Sequence, residues 1–491
     1  MKRLTCFICT SIVAILLSAC QQSPSTDVVI SKNDGSFDAN VVQSAEETRA
    51  ADATESLSFS DTFSSTDGSV TFQIGIMDII QTPNMPVIEV TPHFLTEEDA
   101  RNAARALFGP TAVFYEAEPA LNARYSKDEI ITQIKRWSPY TSADGMKSLF
   151  PYGDESIWES DAQTLQEYIT YLTSEFLDEN SPDYVRPQCQ WTFYKDSHYV
   201  YGAEEAEKKD TSQDNEQISA WTPAGDGLYN KFTVAKRNKE DFKLNNIYVS
   251  SPSGGPLLLD YEIYRAQKVR NNKPTQDQIT AAVNKAQDII DKMMLGTWQV
   301  ELSQVEEYIN GDATEYVIHV DAIPVLQGIP ALHRPQLGNL KSKEKYASNY
   351  YLTAANFEFS ADGTLMDFVL YSPLDIKQVV NENVKTLTKE ELVNRAKEQL
   401  SLSDAYAYGA ILDNLGTNYT CTVSITQFEY GLTRVKAPNT DESYYYIPAG
   451  MFLGNVEYCI QDTGETFYYR ENIPLLMLNA VDGSVIPLAN E

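Results

Sequence analysis

A capped amphipathic helix followed by alternating strands occurs three times in this chain, and no other feature constrains its fold as much. Thr96-Glu97-Glu98-Asp99 opens a short run to Leu107, Pro274-Thr275-Gln276-Asp277-Gln278 opens Ile279 to Met294, and Leu387-Thr388-Lys389-Glu390-Glu391 opens Leu392 to Leu400. In each case the threonine hydroxyl can accept a first-turn amide, and the acid or amide three residues on can reach back to the cap. Ile279, Val283, Ala286 and Ile290 fall on one stripe of the second helix, as do Leu392, Ala396 and Leu400 of the third. Each helix therefore has one face that must be covered.

The segments that follow supply the cover. After the second helix come Trp298 to Leu302, Tyr316 to Val320, Phe357 to Phe359 with the turn Ala361-Asp362-Gly363-Thr364, and Met366 to Tyr371. After the third come Tyr419 to Tyr430, Met451 to Gln461 and Leu475 to Ala480 before the turn Asp482-Gly483. Alternating apolar and polar residues bounded by such turns are half-buried antiparallel strands. The expected fold class is α+β, with repeated units of an antiparallel sheet packed by one amphipathic helix. The expected divisions are a 69–265 N-terminal domain, a 266–385 unit and a 386–491 unit.

The first residues carry a different message. Lys2 and Arg3 precede an uncharged apolar run from Leu4 to Leu17, and Leu17-Ser18-Ala19-Cys20 closes it as a lipobox. Such a run is shorter than the ~20 residues a spanning helix needs, and Gln21-Gln22 follows at once. Residues 1–19 are thus expected to be a lipoprotein signal peptide, cut before Cys20, whose thiol takes diacylglycerol. Two or three acyl chains anchor stably where one does not. Residues 20–68, rich in Ser, Thr, Asp, Ala and Glu without helical or strand period, are expected to be a disordered tether with a reach of roughly 40 Å. The expected location is extracytoplasmic, on the cell membrane, or on the outer membrane of a cell that has two.

Charge removes one class of partner. Without Lys2 and Arg3 the 38 basic residues fall to 36 against 69 acidic ones, a formal charge of −33. A nucleic-acid partner is excluded, because phosphate binding needs a basic surface. The same charge opposes an anionic membrane face, so lipid on Cys20 must hold the body there.

Cys6 and Cys9 leave with the signal, and besides Cys20 the mature chain has Cys189, Cys421 and Cys459. Two readings stand side by side: a disulfide between Cys421 and Cys459, both in strands of one domain, or three buried thiols. There is no Cys/His spacing for zinc, and no cofactor is implied.

Catalytic patterns are sparse. His93, His198, His319 and His333 lie outside any HExxH, and His319 alternates within a strand. Ser342-Lys343-Glu344-Lys345 fits S-x-x-K without companion motifs, and Ser251 to Pro256 has glycines without a lysine or a following helix start. In the middle region, helices are expected over 126–137 and 160–177, then strands rich in Trp191, Phe193, Tyr194, Tyr199 and Tyr201. These aromatics read first as cross-strand packing and second as a ligand platform.

The Thr-x-x-Glu helix, the strands and the ending Asn479-Ala480-Val481-Asp482-Gly483-Ser484-Val485-Ile486 resemble PepSY-type domains and the related YycH/YycI regulators of an envelope sensor kinase. Ile425 to Leu432, Tyr446 to Phe452 and Gly328-Ile329-Pro330 also resemble segments of that group. The layout as a whole resembles uncharacterised lipoproteins of anaerobic gut Firmicutes. The likeness covers about 270–491 and hardly touches 69–265. It implies a non-catalytic protein that binds or regulates another envelope protein, a protease or a sensor. The alternative is a ligand-binding or uptake lipoprotein that uses the aromatic middle region.

Overall fold

A computed structural model describes residues 57–66, 68, 70–79, 85–116, 126–151, 154–178, 183, 185–195, 215–225, 228–239, 242–253, 259–310, 313–332, 353–402, 419–436, 443–460 and 463–486. In chain order the first elements are β1 (Leu57–Ser64), β2 (Val70–Ile79), β3 (Val87–Pro92), α1 (Glu97–Phe108) and β4 (Tyr115–Glu116). A helical insertion follows, made of α2 (Lys127–Trp137), α3 (Ala143–Leu149) and α4 (Glu155–Phe176). Next come β5 (Tyr194–Lys195), β6 (Asn215–Gly225), β7 (Leu228–Lys239), β8 (Phe242–Ser253) and α5 (Leu259–Lys268). The second repeat holds α6 (Gln276–Met293), β9 (Trp298–Asn310), β10 (Ala313–Leu326), β11 (Ile329–Pro330), β12 (Ala354–Phe359), β13 (Leu365–Tyr371) and β14 (Leu374–Asn381). The third holds α7 (Lys389–Leu402), β15 (Tyr419–Lys436), β16 (Tyr444–Ile460), β17 (Thr466–Asn479) and β18 (Val485–Ile486).

All three capping boxes form. The hydroxyls of Thr96, Thr275 and Thr388 accept the backbone N–H of Asp99, Gln278 and Glu391, whose side chains accept the threonine amides in return. The protein is mixed α+β, with helices laid on antiparallel sheets.

The repeats do not each keep a sheet to themselves. In the first sheet the strand order is β11-β10-β12-β13-β8-β7-β6-β4, with β9 on β10 and β5 on β6. The β13–β8 pairing crosses the expected 265/266 boundary and removes two edges that would otherwise be open to other chains. Helices α1 and α6 lie on one face of this sheet. Ala100, Ala103, Ala104 and Leu107 of α1, with Ala282, Ala286, Ile289, Ile290 and Met293 of α6, face Phe232, Val249, Ile318, Phe357, Phe359 and Phe368. The two helices share this core through small alanines, and Ile279 and Val283 of α6 are only half-buried against it.

The second sheet runs β1-β2-β15-β16-β17-β18, with β3 joining β16 and β14 joining β3. Its helix α7 buries Leu392, Val393, Ala396 and Leu400 against Val423, Ile425, Phe452 and Leu476. Two expectations are corrected by these pairings. Residues 57–64, assigned to the tether, form β1, because Phe59 and Phe63 have a core to pack on. The division at 385/386 is also crossed, since β1–β3 complete the C-terminal sheet, β2 running parallel to β15, and β14 leaves the second repeat to pair with β3. Residues 1–56 lie outside the described residues, and with them the lipobox. Among the described residues no helix is long and apolar enough to cross a membrane.

The two sheets meet along a seam. Leu332 N–H donates to Leu432 O at 2.7 Å, and Leu326, Ala331, Leu432, Met85, Ile88, Val90 and Tyr446 pack together there. Gly431 permits this approach, since a Cβ on it would lie 3.0 Å from the Pro330 carbonyl oxygen.

Candidate functional site

Strand alternation sorts the first sheet. Ile318, Val320, Phe357, Phe359 and Phe368 point toward the helices, so His319, Glu358 and Asp367 are carried by the opposite face. Register places them in a row, with Glu358 opposite His319 on one side and Asp367 on the other. The imidazole of His319 hydrogen-bonds Glu306 of β9 through Nε2 at 2.7 Å, and its Nδ1 lies 3.7 Å from Glu358. Four strands thus contribute one titratable side chain each.

The electrostatics follow from that row. Burial, together with the charge of Glu358 beside it, raises the carboxyl of Asp367 to about 7. Like charges directly opposite on neighbouring strands repel, which adds to the effect of burial on Asp367. Burial and a hydrogen bond to Glu306 raise the phenol of Tyr308 to about 12.

The row ends at an edge. Among the described residues β9 pairs with β10 alone. A bulge falls between the pairs His319–Gln304 and Val320–Leu302, leaving Gln304 to Asn310 as a regular stretch. Leu302, Tyr308 and Ile309 are exposed on β9, Ile309 at 79 %. Glu306 and Glu307 make the same stretch acidic.

This arrangement can hold and pass protons and can pair with an extended chain. The two described histidines hydrogen-bond carboxylates through their rings: His319 with Glu306, and His93 with Asp375 at 2.9 Å and Asp99 at 3.2 Å. Among the described residues no cluster of His, Cys, Asp and Glu is arranged to hold a metal. His198, His333, Ser342 and Lys345 lie outside the described residues.

Other expected site residues fall elsewhere. Cys421 and Cys459 are separate thiols and not a disulfide. Cys421 is opposite Tyr458, and Cys459 is opposite Thr420, so the two sulfurs belong to opposite faces of the hairpin. Burial pushes the Cys421 thiol up to about 11. Of the aromatic middle region, Trp191 and Phe193 lie against the core of the first sheet, and Tyr199 and Tyr201 lie outside the described residues. Nearby, the Arg186 guanidinium sits 4.6 Å from the Trp221 ring and 4.8 Å from that of Tyr229, and bonds Glu129 at 3.0 Å. Sequence reading passed over Glu306, Glu358 and Asp367. Their signal was present in the charges set between Phe357 and Phe359 and between Met366 and Phe368.

No family model matches the chain, and no curated protein does. Among solved structures it is similar to an uncharacterised Eubacterium rectale protein, at 11 % identity and a TM-score of 0.37, covering 91 % of this chain and 98 % of that one. It is also similar to the C-terminal domain of Bacillus megaterium YpeB, at 11 % identity and a TM-score of 0.21, covering 53 % of this chain and 91 % of that one.

Proposed function

We propose that this protein is an extracytoplasmic lipoprotein, anchored through acylated Cys20, that acts without catalysis by binding another envelope protein along the β9 edge. The observation that carries the reading is the regular stretch Gln304 to Tyr308, on a strand that pairs with β10 alone among the described residues, with Tyr308 and Ile309 exposed. An extended segment added to such an edge gains main-chain hydrogen bonds, while pockets for alternate side chains select it. Glu306 and Glu307 discourage self-pairing of this acidic chain and favour a partner strand bearing lysine or arginine.

Crosslinking in cells from position 307 tests the partner. One envelope protein should be captured, and Ile309→Lys with Leu302→Lys should reduce its capture at least tenfold without moving the unfolding midpoint. Equal capture by the double variant would refute edge binding. The anchor is tested separately with a fatty-acid probe, whose label Cys20→Ser should abolish.

A further inference from the structure

Arg434 lies in the seam between the two sheets, 3 % exposed, at the register position opposite Tyr446. Its guanidinium lies 4.5 Å from the Tyr444 ring centroid, and Nη1 donates to Thr353 Oγ1 at 3.2 Å. Among the described residues its Nε–H has no partner and no carboxylate forms an ion pair with it. Among the described residues the other inward-facing arginines have one: Arg136 has Asp260, Arg186 has Glu129, and Arg265 and Arg270 share Glu315.

A second anomaly lies one hydrogen bond away. Thr353 Oγ1 passes its own proton to the carbonyl of Ser372 at 3.1 Å. Ser372 is 4 % exposed, has φ +41°, and its hydroxyl has no partner. A non-glycine residue at positive φ is strained, and such residues persist where the surroundings hold them, often around ligands.

We propose that the seam is a binding site for a single carboxylate group, held by the guanidinium of Arg434 with the hydroxyl of Ser372 as a further donor. An arginine fork matches a planar carboxylate in shape and charge. One buried cation balances one negative charge, so a monocarboxylate fits and doubly charged phosphate does not. Arg434 comes from β15, Thr353 precedes β12, and Ser372 joins β13 to β14, so the bound group would bridge both sheets. Burial opposes the charge on Arg434 and lowers its pKa, as expected of a cation with no counter-charge.

The test uses the full chain purified in detergent, with thermal unfolding followed in acetate, propionate, a short N-acetylated peptide acid, its amide, and phosphate, each matched to sodium chloride. A carboxylate that fits should give a saturable rise in Tm of about 2–4 °C, absent with the amide and with phosphate. The peptide acid acting where acetate and propionate do not would identify a chain terminus, and the reverse a free monocarboxylate. Arg434→Met should abolish the rise, and if that variant does not fold, Arg434→Lys should weaken binding at least tenfold. The proposal is overturned if no carboxylate stabilises the parent beyond chloride, if phosphate does so equally, or if the variant responds as the parent does.

Discussion

Two buried arginines join separate parts of this molecule and are treated in opposite ways. Arg270 docks the helical insertion on the first sheet: it donates to the carbonyls of Ser148 and Leu149 at 2.9 and 2.6 Å and to Glu315 at 3.0 Å. Glu315, 1 % exposed, also takes Arg265, and Glu262 stands 3.8 Å from Arg270. Arg434 joins the two sheets with one hydroxyl and one aromatic ring. Asp367 shows what a titratable group does in such a place, since its pKa rises and the cost of a buried charge is eased by proton uptake. Arginine holds its proton throughout the working pH range, so it needs an anion instead. A buried charge with all its partners is architecture, whereas one without them points to something that arrives later.

The contrast can be broken most forcefully at Glu315. Glu315→Gln leaves two inward-facing arginines without their shared counter-charge and should cost about 3–5 kcal/mol. Urea unfolding should show the loss, and hydrogen exchange should show it first in residues 127–176, which Arg270 tethers. A cost below about 1 kcal/mol would mean that the cluster behaves like a surface pair.

A smaller effect of opposite sign is expected at Asp367. Its folded-state pKa lies above the unfolded value, so its ionisation opposes folding increasingly as pH rises from about 4 to about 7. Asp367→Asn should therefore stabilise by roughly 2 kcal/mol at pH 8, after discounting for partial exposure, and by almost nothing at pH 4. Urea midpoints of parent and variant that run parallel over this range would refute the raised pKa of Asp367.

At the seam, Arg434→Met in carboxylate-free buffer should raise stability by about 1 kcal/mol, because it removes an ion that has no partner. A loss of stability would instead place Arg434 with Arg270 as architecture.

The smallest effect belongs to His93. Burial opposes its charge, but hydrogen bonds to Asp375 and Asp99 outweigh this and raise its pKa. Its contribution is complete below about 6.5 and is lost as pH climbs through the folded value. His93→Asn should cost roughly 0.5 kcal/mol at pH 5.5 and nothing at pH 9, which chemical denaturation at the two pH values can resolve.

Local physics was legible in the sequence and distant pairing was not. The capping boxes at Thr96, Thr275 and Thr388 depend on side chains three residues apart, and the stripe Leu392, Ala396, Leu400 depends only on helical period, so both were readable from the chain and both are present. That α1, nearly two hundred residues earlier, lies beside α6 on the same sheet was not readable from local periodicity. Helix starts, strand alternation and the sheet-with-helix class were determined by the sequence alone, because neighbours within one or two turns of chain decide them. Which strands complete which sheet, the opposite faces of Cys421 and Cys459, and the burial of Arg434 were decided only by tertiary structure. Arg434 falls on the same alternation of β15 as Phe428, Tyr430 and Leu432, and Thr353, brought in from a distant segment, meets its guanidinium there.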